Sequence, residues 1–117
     1  MKIYITDLEA YNRGCSIRAW IKFPISEDEV SETIKNVLFE GQKACNDNYC
    51  HEDVITNYEA GFEIGEYDNI YVLNEIAEAL ENYNEDELLK FRFLVSSGHS
   101  ERDIVENGLE NNGYWKN

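Results

Sequence analysis

Cys45, Cys50 and His51 bring two thiols and an imidazole into one short segment, and these are the residue types that hold zinc through sulfur and nitrogen. The spacing C-x4-C-H matches no standard zinc arrangement and no fourth ligand is evident, so the segment is expected to be a loop without a metal. His99 and Ser100 set a base beside a hydroxyl, yet sequence neighbours rarely meet in hydrogen-bond geometry, and Ser100 is explained as a helix cap ahead of Asp103. Carboxylate pairs can support glycosidase-like acid–base chemistry, but the acids are so numerous that no pair stands out. The sequence has no Gly-rich phosphate loop, G-x-S-x-G, H-E-x-x-H or oxygen-rich calcium loop, and Lys and Arg are too scattered to cradle phosphate. No catalytic, cofactor-binding or metal-ligating residue is therefore assigned, no cofactor is expected, and an enzyme is not expected.

Charge offers chemistry of another kind. Twenty-four Asp and Glu against ten Lys and Arg give a formal charge of -14 in 117 residues. A surface of that sign should repel nucleic acid and anionic membrane, and attract a basic protein groove. Every residue from Ala44 to Leu89 that is fully charged at neutral pH is an acid: Asp47, Glu52, Asp53, Glu59, Glu63, Glu66, Asp68, Glu75, Glu78, Glu81, Glu85, Asp86 and Glu87. Glu27, Asp28 and Glu32 add to these on an earlier helix. Acidity by itself serves solubility; its asymmetry here argues for a binding surface. Glu75, Glu78 and Glu81 recur every third position, a rise of about 4.5 Å per step on a helix. Such a row can present carboxylates at phosphate-like spacing, since duplex DNA carries one charge per roughly 1.7 Å of axis over its two strands. Like charges at helical neighbours cost a few tenths of a kcal/mol per pair, and soluble helices usually intersperse Lys to avoid it.

The elements that must carry these residues are legible from periodicity. Ile3, Ile5 and Leu8 alternate with polar neighbours, as do Ile17, Ala19, Ile21 and Phe23, predicting strands over 2–8 and 15–23, with a turn over 9–14 and Pro24 ending the second strand. Ser26 with Glu29 forms a capping pattern that opens a helix carrying Val30, Ile34, Val37 and Leu38, for which Gly41 offers a stop. Residues 42–52 read as a polar loop, and 54–64 as a third strand with an irregularity near Gly61. After Gly65 the period changes to that of a helix. Asp68 or Asn69 caps a helix with the stripe Ile70, Leu73, Ile76, Ala77 and Leu80; Asn82–Asn84 break it, and a second helix runs from Glu85 to about Ser96. Ser100 with Asp103 opens a short third helix containing Ile104, Val105 and Leu109.

The expected class is therefore α+β. Residues 1–65 form a three-stranded antiparallel sheet plus a helix over about 27–40; residues 66–112 form a small helical bundle; 113–117 are a tail. A hydrophobic fraction of 43% with 13% aromatic residues is too high for a disordered acidic tail. No apolar leader or stretch approaching the ~20 residues of a membrane span is present, and three cysteines make an odd, sparse set, so a soluble cytoplasmic protein is expected.

Two blocks carry a family resemblance. Ile3-Tyr4-Ile5-Thr6-Asp7-Leu8-Glu9-Ala10-Tyr11-Asn12-Arg13-Gly14, followed by Ala19-Trp20 and Phe23-Pro24-Ile25, resembles the ArdA antirestriction family. Tyr58-Glu59-Ala60-Gly61-Phe62-Glu63-Ile64-Gly65-Glu66-Tyr67, then Leu73-Asn74-Glu75, resembles that family's segment leading into its helical domain, and the likeness runs to about residue 112. The resemblance implies an elongated α+β protein, encoded on a mobile element, that imitates bent B-form DNA and blocks type I restriction-modification enzymes without a cofactor. The alternative partner is another nucleic-acid-binding system, such as a CRISPR effector or a DNA-binding regulator. The segment Gln42–His51 looks like an insertion relative to the family. The chain also stops where members continue into a third domain holding the antirestriction motif and dimer contacts. A short relative or truncated form is expected, and dimerisation is left open.

Overall fold

In a computed structural model, residues 1–109 are described; the tail expected at 113–117 lies outside them. The chain divides into two units, Met1–Tyr71 and Val72–Asn117. The class is α+β, with one three-stranded antiparallel sheet and five helices among the described residues.

In the first unit, β1 (Lys2–Asp7) is the central strand, flanked by β2 (Arg18–Lys22) and β3 (Asp53–Glu59), both antiparallel to it. Ile3 faces Ile21 and Tyr58, and Ile5 faces Ala19 and Ile55, so the alternation seen in sequence becomes a set of cross-strand apolar pairs. Ile3 and Ile5 are fully buried, each contributing about 1.5–3 kcal/mol by removal from water. The β1–β3 register slips between Tyr4 and Ile5, where Thr56 is the extra residue and its hydroxyl bonds that of Thr6 at 2.7 Å. This is where the third strand is irregular, rather than near Gly61; the strand ends at Glu59, and the chain then returns so that Glu66 accepts from Ile55 N–H at 2.9 Å.

Two further expectations are corrected. Residues 9–14 do not form a simple turn: Asp7 caps a five-residue helix, α1 (Leu8–Asn12), by accepting from Ala10 N–H, and Gly14 leaves it at φ +84°. Nor does Gly41 stop the next helix. Capped by Ser26 as expected, α2 (Glu27–Cys45) continues through the buried Gly41 and ends at Asn46 in the left-handed conformation. Glycine is needed at 41 because a Cβ there would overlap the Asp7 carboxylate. The expected helix over about 27–40 is therefore one turn short.

The helices beyond follow their sequence signals. Asn69 accepts from Tyr71 N–H at the start of α3 (Ile70–Asn82), whose Ile70, Leu73, Ile76 and Ala77 are buried. Asn84 and Glu87 complete a capping box on α4 (Glu85–Ser96), and Ser100 caps α5 (Glu101–Asn107) by accepting from Asp103 N–H. Within the second unit Phe91, Leu94, Ile104 and Leu109 form one cluster, with Leu80, Tyr83, Val95 and Val105 packed around it. On α4 the 3.6-residue period turns Phe91 and Leu94 inward while leaving Leu89 and Phe93 67% and 47% exposed.

Candidate functional site

Most of the acids singled out in the sequence are exposed to solvent. They comprise Glu27, Asp28 and Glu32 on α2; Glu52 just before β3 and Glu59 at its last position; Glu63, Glu66 and Asp68 in the segment after it; Glu75, Glu78 and Glu81 on α3; and Glu85 and Asp86 on α4. Asp53 and Glu87 are half-buried. Asp47 is turned inward, its side chain only 9% exposed.

Local structure accounts for several of them. Glu27, Asp28, Glu85, Asp86 and Glu87 occupy first helical turns, where the positive end of the helix dipole favours them. Glu87 also accepts from Asn84 N–H at 3.1 Å, and Asp68 accepts from Gly65 N–H at 2.9 Å. Glu59 has a base despite the acidic run around it, because the β1–β3 register sets Lys2 opposite it at 3.5 Å.

The α3 row has no such account. Glu75 and Glu78 lie in the body of the helix, where the dipole gives them no support, and Glu81 in the last turn, where it disfavours negative charge and no base is present. Among the described residues none of the three makes an ion pair. Glu75 is within electrostatic reach of Arg102, but that guanidinium is held by Glu106 at 2.9 Å, the hydrogen bond that chiefly raises the Arg102 pKa.

A second constellation joins the end of α2 to the start of β3. His51, its side chain fully buried, sits between two carboxylates: Nδ1 lies 2.8 Å from Asp7 Oδ2, and Nε2 lies 2.7 Å from Asp47 Oδ1. Asp7 is itself fully buried, and its Oδ1 also accepts from Ala10 N–H at 2.9 Å. Burial works against the charged imidazole, but the hydrogen bonds to Asp7 and Asp47, with their charges, outweigh it and raise the His51 pKa. With a carboxylate at each nitrogen, both ring N–H groups donate in the imidazolium form. Asp47 Oδ2 is buried without a hydrogen bond, with Arg13 Nη1 3.6 Å away. The thiol of Cys45 lies beside it; burial pushes that thiol up, opposed by Arg13 and reinforced by Asp47, Asp7 and Cys15. Cys50, paired with His51 in the sequence reading, is exposed, and Asp47 stands with Cys45 and His51 instead. The signal that could have found this cluster is Asp7 as the cap of α1, because a capping Asp at the end of a buried strand carries its carboxylate inward.

No helix among the described residues is long and apolar enough to cross a membrane. No curated protein matches the chain. The family model described as Antirestriction protein (ArdA) matches residues 3–115.

Proposed function

The chain belongs to the ArdA antirestriction family, and on that premise we propose that it is a DNA mimic which occupies the DNA-binding groove of a type I restriction-modification enzyme. Inhibition then proceeds by competitive occupancy, with no bond made or broken. The single observation that carries the reading is the row Glu75, Glu78 and Glu81: exposed, without ion pairs among the described residues, and set where they cost their own helix stability. A requirement for solubility alone would be met by acids at helix N-termini, where the fold favours them. The row instead offers carboxylates to an external partner. Exposed acids on α2 and in the 63–68 segment give the first unit a surface of the same sign.

Lys and Arg of the target's groove are the complementary groups, and each carboxylate paired at such a surface contributes up to about 1 kcal/mol. Affinity is accordingly distributed over many residues.

The test is a competition experiment in which a type I methyltransferase core holds a labelled duplex and the protein is titrated in. Displacement of the duplex, with a half-displacement concentration that rises linearly with DNA concentration, is the expected result. A ternary complex in which DNA stays bound beside the protein would overturn mimicry while leaving antirestriction in place.

A further inference from the structure

We propose that Cys45, Asp47 and His51 form a binding site for a divalent metal ion of the zinc class, with Asp7 orienting the histidine from behind. The Cys45 sulfur, a carboxylate oxygen of Asp47 and a ring nitrogen of His51 all lie within 4.8 Å of one another, close enough to converge on one ion with small side-chain adjustments. C-x4-C-H concealed the set, because the exposed Cys50 is not part of it; the ligands are spaced Cys45, Asp47, His51.

Three features point to a ligand beyond proximity. First, the Asp7 carboxylate, 2.8 Å from Nδ1, fixes the ring so that Nε2 faces Asp47, the outer-shell arrangement that metal-binding histidines use to hold tautomer and direction. Second, Asp47 Oδ2 is buried with no hydrogen bond and so has an acceptor to spare. Third, the donors are one thiolate, one imidazole and one carboxylate, a mixture that suits zinc and its neighbours; calcium and magnesium demand oxygen. Arg13 contests the site only from 3.6 Å, and its half-exposed side chain can turn wholly to Glu9, which it already meets at 3.5 Å.

Without metal, a hydrogen bond spans the 2.7 Å between Nε2 and Asp47 Oδ1. The ion replaces it: the Cys45 thiol and the His51 Nε2–H each release a proton to solvent, Nδ1–H stays on Asp7, and nothing is oxidised or reduced. Solvent takes the fourth position. The bound ion pins the 46–52 loop to the C-terminus of α2.

The experiment uses the full chain, reduced and chelator-stripped, titrated with Co2+ and then Zn2+. A single equivalent of Co2+ should give a near-ultraviolet thiolate-to-cobalt band that Zn2+ bleaches and excess Mg2+ does not. Zn2+ should raise the melting temperature, and its binding should release protons, that of the Cys45 thiol among them. Cys45→Ser should abolish the band, and it and Asp47→Asn should each weaken Zn2+ binding by at least about tenfold, while Cys50→Ser and His99→Gln change nothing. Far-ultraviolet circular dichroism checks that each variant folds. Absence of Zn2+ binding by the native chain would overturn the site, as would binding that survives Cys45→Ser and Asp47→Asn together or depends on Cys50 or His99. None of these outcomes bears on competition with DNA.

Discussion

The Asp7 carboxylate meets His51 Nδ1 at 2.8 Å across forty-four positions of sequence, and the same carboxylate caps α1 through Ala10 N–H. One side chain thus ends a strand, starts a helix and anchors the loop ahead of β3. Asp7→Ala removes the cap, worth about 1 kcal/mol, and also takes away the acceptor at His51 Nδ1 while Asp47 stays at Nε2, so the total loss should exceed that of the cap alone. Urea denaturation of the two proteins reads the difference, and a change under about 1 kcal/mol would show that the pair is not structurally important.

Because its two carboxylates raise the His51 pKa, the folded chain binds that proton more tightly than the unfolded chain does. The stabilisation is complete below the unfolded value of about 6.5 and drains away as pH rises through the folded value. With chelator present, melting temperatures of the native chain and His51→Gln should therefore differ most below about pH 6.5, and the gap should narrow as pH rises above it. A gap that widens with pH would reverse the assigned direction.

Gly41→Ala pits a helix-propensity gain of up to about 1 kcal/mol against overlap with the Asp7 carboxylate, which hydrogen bonds hold in place. Overpacking should win, leaving a net loss on the order of 1–2 kcal/mol by chemical denaturation. A more stable Gly41→Ala protein would mean that Asp7 moves freely.

Glu75→Gln, Glu78→Gln and Glu81→Gln should each reduce inhibition by no more than several-fold, since each removes at most about 1 kcal/mol, whereas the triple variant should lose far more. The triple variant should also melt at an equal or higher temperature, because the like charges at helical spacing are gone. Complete loss of inhibition from any one of them, with the fold intact, would indicate a hot spot in place of distributed contacts.

Duplex DNA releases condensed cations on binding, giving log affinity a slope of about -0.9 per phosphate neutralised. A folded protein of formal charge -14 condenses fewer ions, so its affinity for the same groove should fall along a shallower slope. Affinities for protein and duplex across a salt series, with screening reaching about 8 Å at physiological strength, provide the comparison. A flat curve for the protein would mean that apolar contacts dominate.

What the sequence made legible was the local chemistry. Ser26 with Glu29 and Ser100 with Asp103 announced their helices because a cap and its partner sit three positions apart. Gly41 misled for a tertiary reason: the lack of a Cβ signals a helix stop and a close approach equally, and only the position of Asp7 decides between them. A row of carboxylates in sequence does not say which one faces inward, which is why Asp47 reads there as one of the surface acids. The His51 cluster is not legible in the sequence because its members come from the end of β1, the end of α2 and a loop, brought together only by folding.

Strand order has a consequence for synthesis. Of the three strands, β1 leaves the ribosome ahead of the other two and is the middle one of the sheet, and one of its two neighbours, β3, follows some fifty positions later, as the contact between the Thr6 and Thr56 hydroxyls marks. The nascent chain can close β1 on β2 early but must keep the other edge, with its fully buried Ile3 and Ile5, unpaired until residues 53–59 emerge. At about 5–20 residues per second, that is a delay of several seconds in which an apolar strand edge is open to chaperones or to a second nascent copy.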